Sequence, residues 1–360
     1  MKDFTFKIAG VSSRIGQVLT AQEWADKMRI PHRKHKGDYL TGAEVTKILG
    51  VEKKSWDPLL FQDRDVLVDT AKTALESAGM SADEIEAFVV VTCTPYEVML
   101  DQDAFWLARA IGIADDALTV QAGAGCAGMA RAANLIARLN TDRVLMLTYN
   151  LPSLIVCPNH EPNKLYQSND KHPMGSILWA SPGLFSDGVA ACVMTRCAQE
   201  DSGVYLYSRD SHSFGKAEGC TDPLIHYLGG GGVHPPGTPG AEELACYGMA
   251  GEEVKAYYHK GMMLNHTAML RAKPTMLNSV KKFYTHQASP GLVDAFIHSA
   301  ELPKEKVSVS VRELGNLVTP CTLQMLDEDI QAGVVGSGDP ICISVVGAGP
   351  ERGALITTLA

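Results

Sequence analysis

Short apolar runs that alternate with helical patterns, and do so twice along the chain, constrain this sequence more than any other feature. AFVVV (87–91), LTVQA (118–122), RVLMLTY (143–149), VAACVM (189–194) and VYLYS (204–208) have the length and β-branched content of buried strands. Leu67, Ala71, Ala74 and Ala78 recur at helical spacing and stop before Gly79. The stretch 127–139 is rich in Ala, Leu and Arg and has no proline, so it also reads as helix. Strands alternating with helices predict an α/β fold with covered sheets. The C-terminal third replays the order. KFYTHQ (282–287) resembles AFVVV, VSVSVRELGN (307–316) leading into TLQMLDEDI resembles LTVQAGAGC leading into its helix, and ICISVVGAG (341–349) parallels RVLMLTYN. Two copies of one strand–helix unit would place Cys126 and Asn316 at matching junctions.

A chain of 360 residues can hold one large core or two fused half-domains. The repeat divides it into 1–196 and 197–360, with insertions at about 150–180 and 210–250. Within these, CPNHEPNKLYQSNDKHPMG (157–175) and GGGGVHPPGTPG (229–240) are loop-like, and the glycine run lacks the Lys-Ser/Thr of a P-loop. MKDFTFKIAG has no signal-peptide pattern, and no apolar run approaches the roughly 18 residues of a membrane span. A cytoplasmic location without membrane attachment is expected. The net charge of −9 argues against nucleic acid as a partner. Nine cysteines without a CxxC pair suit a reducing compartment, and Cys93, Cys192 and Cys342 lie in apolar runs as core filler.

Cys126 stands apart because it lies where a strand hands over to a helix. A thiol is nucleophilic as its thiolate, and the unpaired N–H groups of a helix N-terminus favour that form. Gly123, Gly125 and Gly128 permit a sharp turn and close approach of a substrate. In YTHQASPG, His286 ends an apolar run before a Pro-Gly break, and in RELGNLVTP, Asn316 sits in a glycine turn before a helix. A lone His or Asn at such a place is ordinarily a hydrogen-bonded structural group. Together, a thiol and two polar donors at strand ends fit acyl chemistry, in which negative charge develops on an oxygen.

The motifs GCAGMARA, HQAS, LGN, LFSDGVAACVM (184–194) and SVVGAGPERGALI (344–356) then fall in one order over nearly the whole chain. That order resembles the β-ketoacyl-acyl-carrier-protein synthase III family, a branch of the thiolase superfamily. The resemblance implies an α/β thiolase fold of two pseudo-repeated βαβαβαββ halves in five αβαβα layers, usually assembled as a homodimer. It implies that Cys126 takes an acyl group from a thioester, with the backbone N–H groups of Cys126 and Gly349 holding the carbonyl oxygen. A malonyl-type thioester then loses carbon dioxide while His286 and Asn316 stabilise the enolate, and no metal or organic cofactor is needed.

The sequence also departs from that family. Glu44 and Ile48 stand where a Trp and an Arg usually clamp the adenine of coenzyme A. Ser289 replaces the usual asparagine after His286, and Gly291 replaces an arginine that receives the carrier protein. Basic residues in RIPHRKHK (29–36), or Lys255, Lys260, Arg271, Lys273, Lys281 and Lys282, are candidates for alternative carrier contacts, the other reading being solvated surface charge. Met99 and Leu100 fall where a partner-subunit residue closes the acyl pocket, and would leave it apolar and adjustable. The expectation is a condensing enzyme of specialised, polyketide-like biosynthesis, fed by coenzyme A or carrier-protein thioesters. Two other readings remain. An acyltransferase of this fold would pass the Cys126 acyl group to a hydroxyl or amine with His286 as base. A non-catalytic partner subunit would not be acylated at all.

Overall fold

The apolar runs become the central strands of two sheets. In chain order the strands are β1 (Lys2–Phe4), β2 (Phe6–Ile15), β3 (Val18–Thr20), β4 (Lys53–Ser55), β5 (Ala87–Thr92), β6 (Leu118–Gly123), β7 (Arg143–Asn150) and β8 (Gly188–Arg196). They continue as β9 (Gly203–Arg209), β10 (Ile225–Tyr227), β11 (Tyr247–Met249), β12 (Lys282–Thr285), β13 (Val307–Ser308), β14 (Pro340–Gly347) and β15 (Glu351–Thr358). The computed structural model describes residues 1–32, 35–97, 100–156, 179–210, 224–227, 247–249 and 251–360. The loops at 157–175 and 229–240, with most of the two expected insertions, lie outside the described residues.

One sheet has the order β2-β8-β7-β5-β6 and the other β1-β9-β15-β14-β12-β13. Leaving β1 aside, the second order repeats the first strand for strand. The directions repeat as well: β5 runs parallel to β6 and β7, and β12 runs parallel to β13 and β14. In each sheet the next pairings, β7 with β8 and β14 with β15, are antiparallel. The pattern expected from AFVVV and KFYTHQ is therefore realised in three dimensions. All six residues of β5 are buried, as a parallel strand covered on both faces requires.

Helices complete five layers. Gly128–Ile136 and Cys321–Gln331 lie between the sheets, the first against β5, β9, β14 and β15 and the second against β2, β8 and β12. Asp65–Ser77 and Gln102–Ile111 cover the outer face of the five-stranded sheet, and Gly251–Ala272 with Pro290–Ser299 covers the other. The sandwiched helix from Gly128 is lined with Ala130, Ala132 and Ala133, small enough to be buried against both sheets. This is the thiolase fold, an α/β architecture with two sheets in αβαβα layers. Among the described residues no helix is long and apolar enough to cross a membrane.

Two features depart from a plain duplication. β1 pairs with β9, so the first residues of the chain belong to the second sheet. We propose that the halves 1–196 and 197–360 divide between β8 and β9, with β1 crossing that division. The second departure is β13, only two residues long, followed by the short helix Val311–Leu314. The reason lies in a side chain. Gln287 Oε1 accepts the N–H groups of Ser310 and Val311, which removes them from any strand ladder.

Candidate active site

Three turns at strand ends converge on one point. Cys126 occupies the turn between β6 and the helix that begins at Gly128. Gly347, the last residue of β14, lies against this turn. A Cβ added there would fall 2.8 Å from Ala127 N and 2.9 Å from Ala127 Cβ, so only glycine lets β14 end so close to the nucleophile turn.

His286 directly follows β12. Its N–H donates to Ser344 O at 2.9 Å, continuing the β12–β14 ladder, and its carbonyl accepts the Tyr258 hydroxyl at 2.8 Å. Gln287 anchors the next position through Nε2 to Thr285 O at 2.9 Å. The HQAS motif is thus braced on both sides of the histidine.

Asn316 is held by its backbone and its amide together. Its N–H donates to Leu184 O and its carbonyl accepts Ser186 N–H, both at 2.9 Å. Its Oδ1 accepts Val318 N–H at 2.8 Å, and Nδ2 donates to Ala288 O at 3.3 Å. The carbonyl end of the amide is therefore committed to backbone, and Nδ2 keeps a second hydrogen. Gly315 makes this possible with φ +71° and ψ −169°, a conformation available essentially to glycine alone.

Two cavities meet at Cys126. The first, about 320 Å³, is bordered by Cys126, His286 and Asn316, with a largely apolar wall that includes Leu184, Tyr257, Tyr258 and Leu292. The second, about 250 Å³, is more polar and is bordered by Cys93, Asn150, Arg131, Glu351 and Val318. Cys126, Phe185, Ile225, Gly347 and Ala348 border both.

Burial takes the His286 imidazole down to about 3, so the ring is neutral at physiological pH. Burial also pushes the Cys126 thiol well above its ordinary value, and the neighbouring Cys93 and Cys321 thiols add to the rise. This corrects the expectation that the helix N-terminus lowers it. Cys126 lies two residues before the helix, and loss of water outweighs the backbone N–H it gains. That direction favours a protonated thiol at rest.

The other expected positions are distributed as follows. Gly349 borders the second cavity beside Cys126. Ala348, which the sequence did not single out, borders both. Leu100 is 75% exposed and borders neither cavity within this chain, and Met99 lies outside the described residues. Glu44 completes the capping box of the helix Gly42–Leu49, whose N-cap is Thr41. Its Oε2 accepts the backbone N–H and the hydroxyl of Thr41, each at 2.9 Å, and Oε1 meets His32 Nε2 at 3.0 Å. Ile48 borders the first cavity and is itself exposed, as an apolar rim. Ser289 borders that cavity too and forms the N-cap position of Pro290–Ser299, with Gly291 in its first turn.

Of the basic residues, Lys255 stands at the rim of the first cavity paired with Glu252 at 2.9 Å, and the Arg29 guanidinium lies 4.7 Å over the Tyr39 ring. Arg33 and Lys34 lie outside the described residues. Cys192 and Cys342 are buried in the core as expected, but Cys93 is not core filler. It sits just past β5, half-buried, and donates its thiol to Asn150 Oδ1 at 3.3 Å on the wall of the second cavity. Among the described residues no cluster of His, Cys, Asp or Glu is arranged to hold a metal ion.

Comparison with known proteins shows what the chain as a whole is similar to. Residues 270–359 match the family described as 3-oxoacyl-[acyl-carrier-protein (ACP)] synthase III C terminal. A β-ketoacyl-[acyl-carrier-protein] synthase III of Rhodopirellula baltica is 27% identical over 299 residues, which span 81% of this chain and 83% of that protein. The crystal structure of 3-oxoacyl-(acyl carrier protein) synthase III from Pseudomonas aeruginosa PAO1 is similar with a TM-score of 0.75 at 19% identity, covering 99% of this chain and 98% of that one. The priming β-ketosynthase of the R1128 polyketide pathway is similar with a TM-score of 0.77 at 18% identity, covering 99% of this chain and 97% of that one. At these identities the structural matches speak for the fold.

Proposed function

We propose that this chain, a β-ketoacyl-acyl-carrier-protein synthase III-like member of the thiolase superfamily and hence a condensing transferase, performs a decarboxylative Claisen condensation through Cys126, His286 and Asn316. The observation that carries the reading is that these three residues border one cavity, with His286 neutral and the Asn316 amide turned so that Nδ2 keeps one hydrogen beyond its bond to Ala288 O.

In the first half-reaction the Cys126 sulfur attacks a thioester carbonyl, with the N–H groups of Cys126 and Gly349 facing the oxyanion. The C–S bond of the donor breaks, and its leaving thiolate takes the proton that Cys126 gives up. In the second, a malonyl-type thioester loses carbon dioxide to leave an enolate. Two neutral donors aimed at its oxygen favour that charge only as it forms. The carbanion attacks the acyl-cysteine, the β-ketoacyl thioester departs, and the Cys126 thiolate recovers a proton from water.

The replacement of adenine-clamping and carrier-binding residues, with an apolar Ile48 at the rim, supports a specialised, polyketide-like pathway over housekeeping chain initiation. The proposed partners are an acyl thioester on coenzyme A or a carrier protein, a malonyl-type thioester, and a second copy of the chain whose Leu100 reaches this copy's acyl pocket. Intact-protein mass spectrometry over a panel of acyl thioesters, followed by malonyl thioesters, tests the reading, with Cys126→Ala as control. Added mass on Cys126 and a new carbon–carbon product are expected. Acylation without carbon dioxide or condensed product would instead leave simple acyl transfer to a hydroxyl or amine.

A further inference from the structure

Cys321 opens the second middle-layer helix, and its Sγ lies 3.8 Å from Nδ1 of His286. Both residues are buried and both are neutral, since burial pushes this thiol up to about 12 and the imidazole down to about 3. A neutral imidazole carries one N–H and one lone pair, so the partner of one nitrogen decides what the other offers. The backbone N–H groups of Gln287, Thr322 and Cys321 itself face the thiol and offset part of its rise. With N–H groups on its acceptor side and Nδ1 at 3.8 Å, the thiol offers its hydrogen toward that nitrogen. Cys321 is not on the cavity wall, whereas His286 is, so the ring edge facing Cys126 and Asn316 is the Nε2 edge.

We infer that Cys321 is a positioning residue that fixes His286 as the Nε2–H tautomer, so that the histidine meets substrate as a hydrogen-bond donor and not as a base. The inference rests on the condensation reading and deepens it. An Nε2–H donates to the thioester oxygen as enolate charge grows, in concert with Asn316 Nδ2. The opposite tautomer would point a lone pair at that oxygen, and would suit removal of a proton from an acceptor alcohol.

The test is the ring-nitrogen NMR signature of His286 in substrate-free, ¹⁵N-histidine-labelled protein, assigned by its loss in His286→Gln. Wild type and Cys321→Ser are expected to show protonated Nε2 and accepting Nδ1. Cys321→Ala, and Cys321→Val as a better-filled second variant, are expected to show mixed tautomers. Condensation in these two should fall about 10–100-fold, the range known for metal-ligating histidines that lose an orienting partner, with Cys126 acylation retained. A protonated Nδ1 in wild type, or an unaltered Nε2–H signature in both apolar variants, would overturn the inference. The NMR readout needs no turnover. Failure of the condensation reading would show as missing product while the tautomer result stood.

Discussion

Arg131 and Glu351, 220 residues apart, form a bidentate pair in which Arg131 Nε donates to Oε2 at 3.1 Å and Nη2 to Oε1 at 2.8 Å. Arg131 is on the helix that follows Cys126 and also donates to Gly123 O, the last carbonyl of β6. Glu351 opens β15 and accepts the Tyr207 hydroxyl of β9 at 2.7 Å. One ion pair therefore ties the nucleophile turn to the opposite sheet.

Removing the arginine should loosen that tie. Arg131→Met leaves the buried Glu351 carboxylate with Tyr207 alone. Orphaning a buried charge costs about 3–5 kcal/mol, and because Arg131 reaches solvent we expect about 2 kcal/mol here. Urea unfolding should show the loss, and Glu351→Gln in the same background should recover part of it.

Gly315 cannot be replaced without disturbing Asn316. Its φ of +71° lies in the glycine region, and a Cβ would fall 2.2 Å from Ser186 Oγ. Gly315→Ala should lower stability by about 1–3 kcal/mol. Because Ser186 also holds the Asn316 carbonyl, condensation should fall further than Cys126 acylation, as paired assays of the half-reactions would measure.

Asn316→Asp sets a carboxylate oxygen against the Ala288 carbonyl that Nδ2 now bonds, and removes the donor offered to the enolate. Loss of one such donor slows chemistry by about 10²–10³. Product formation should drop by that order with acylation of Cys126 retained. Equal loss of both would mean that Asn316 serves the fold alone.

His286 makes a contribution to stability that depends on pH. Its ordinary value is 6.5 and burial takes it to about 3, so between those values the unfolded chain binds a proton that the folded chain refuses. Its contribution is fully present above 6.5 and is lost as pH falls toward 3, at up to about 1.4 kcal/mol per pH unit. His286→Gln should therefore lose less stability on acidification across this window. Denaturant midpoints at a series of pH values would show the difference.

For Cys126 the raised thiol value has a kinetic signature. An exposed cysteine titrates near 8.5, whereas iodoacetamide alkylation of Cys126 should keep rising beyond that pH. Cys93→Ala removes one of the neighbouring thiols that add to the rise and should move the profile downward. A plateau near neutrality in wild type would show that the site activates its thiol at rest.

Legibility in the sequence followed the range of the interactions. AFVVV and KFYTHQ announced β5 and β12 because the strand period is local, and Leu67, Ala71 and Ala74 announced their helix for the same reason. The early end of β13 was not legible, because the Gln287 side chain that captures Ser310 and Val311 is more than twenty residues away. Cys93 looked like core filler because its apolar neighbours belong to β5, yet it lies one step past the strand and faces a cavity.

The sequence by itself determined the alternation of elements, its duplication, and the three turns that carry Cys126, His286 and Asn316, since periodicity and turn chemistry act within a few residues. Only the tertiary structure decided the chemical state of those groups. Burial raises the Cys126 thiol and lowers the His286 imidazole, and Cys321, 35 residues from His286, meets Nδ1. Desolvation and contacts at such separations arise only when the layers pack.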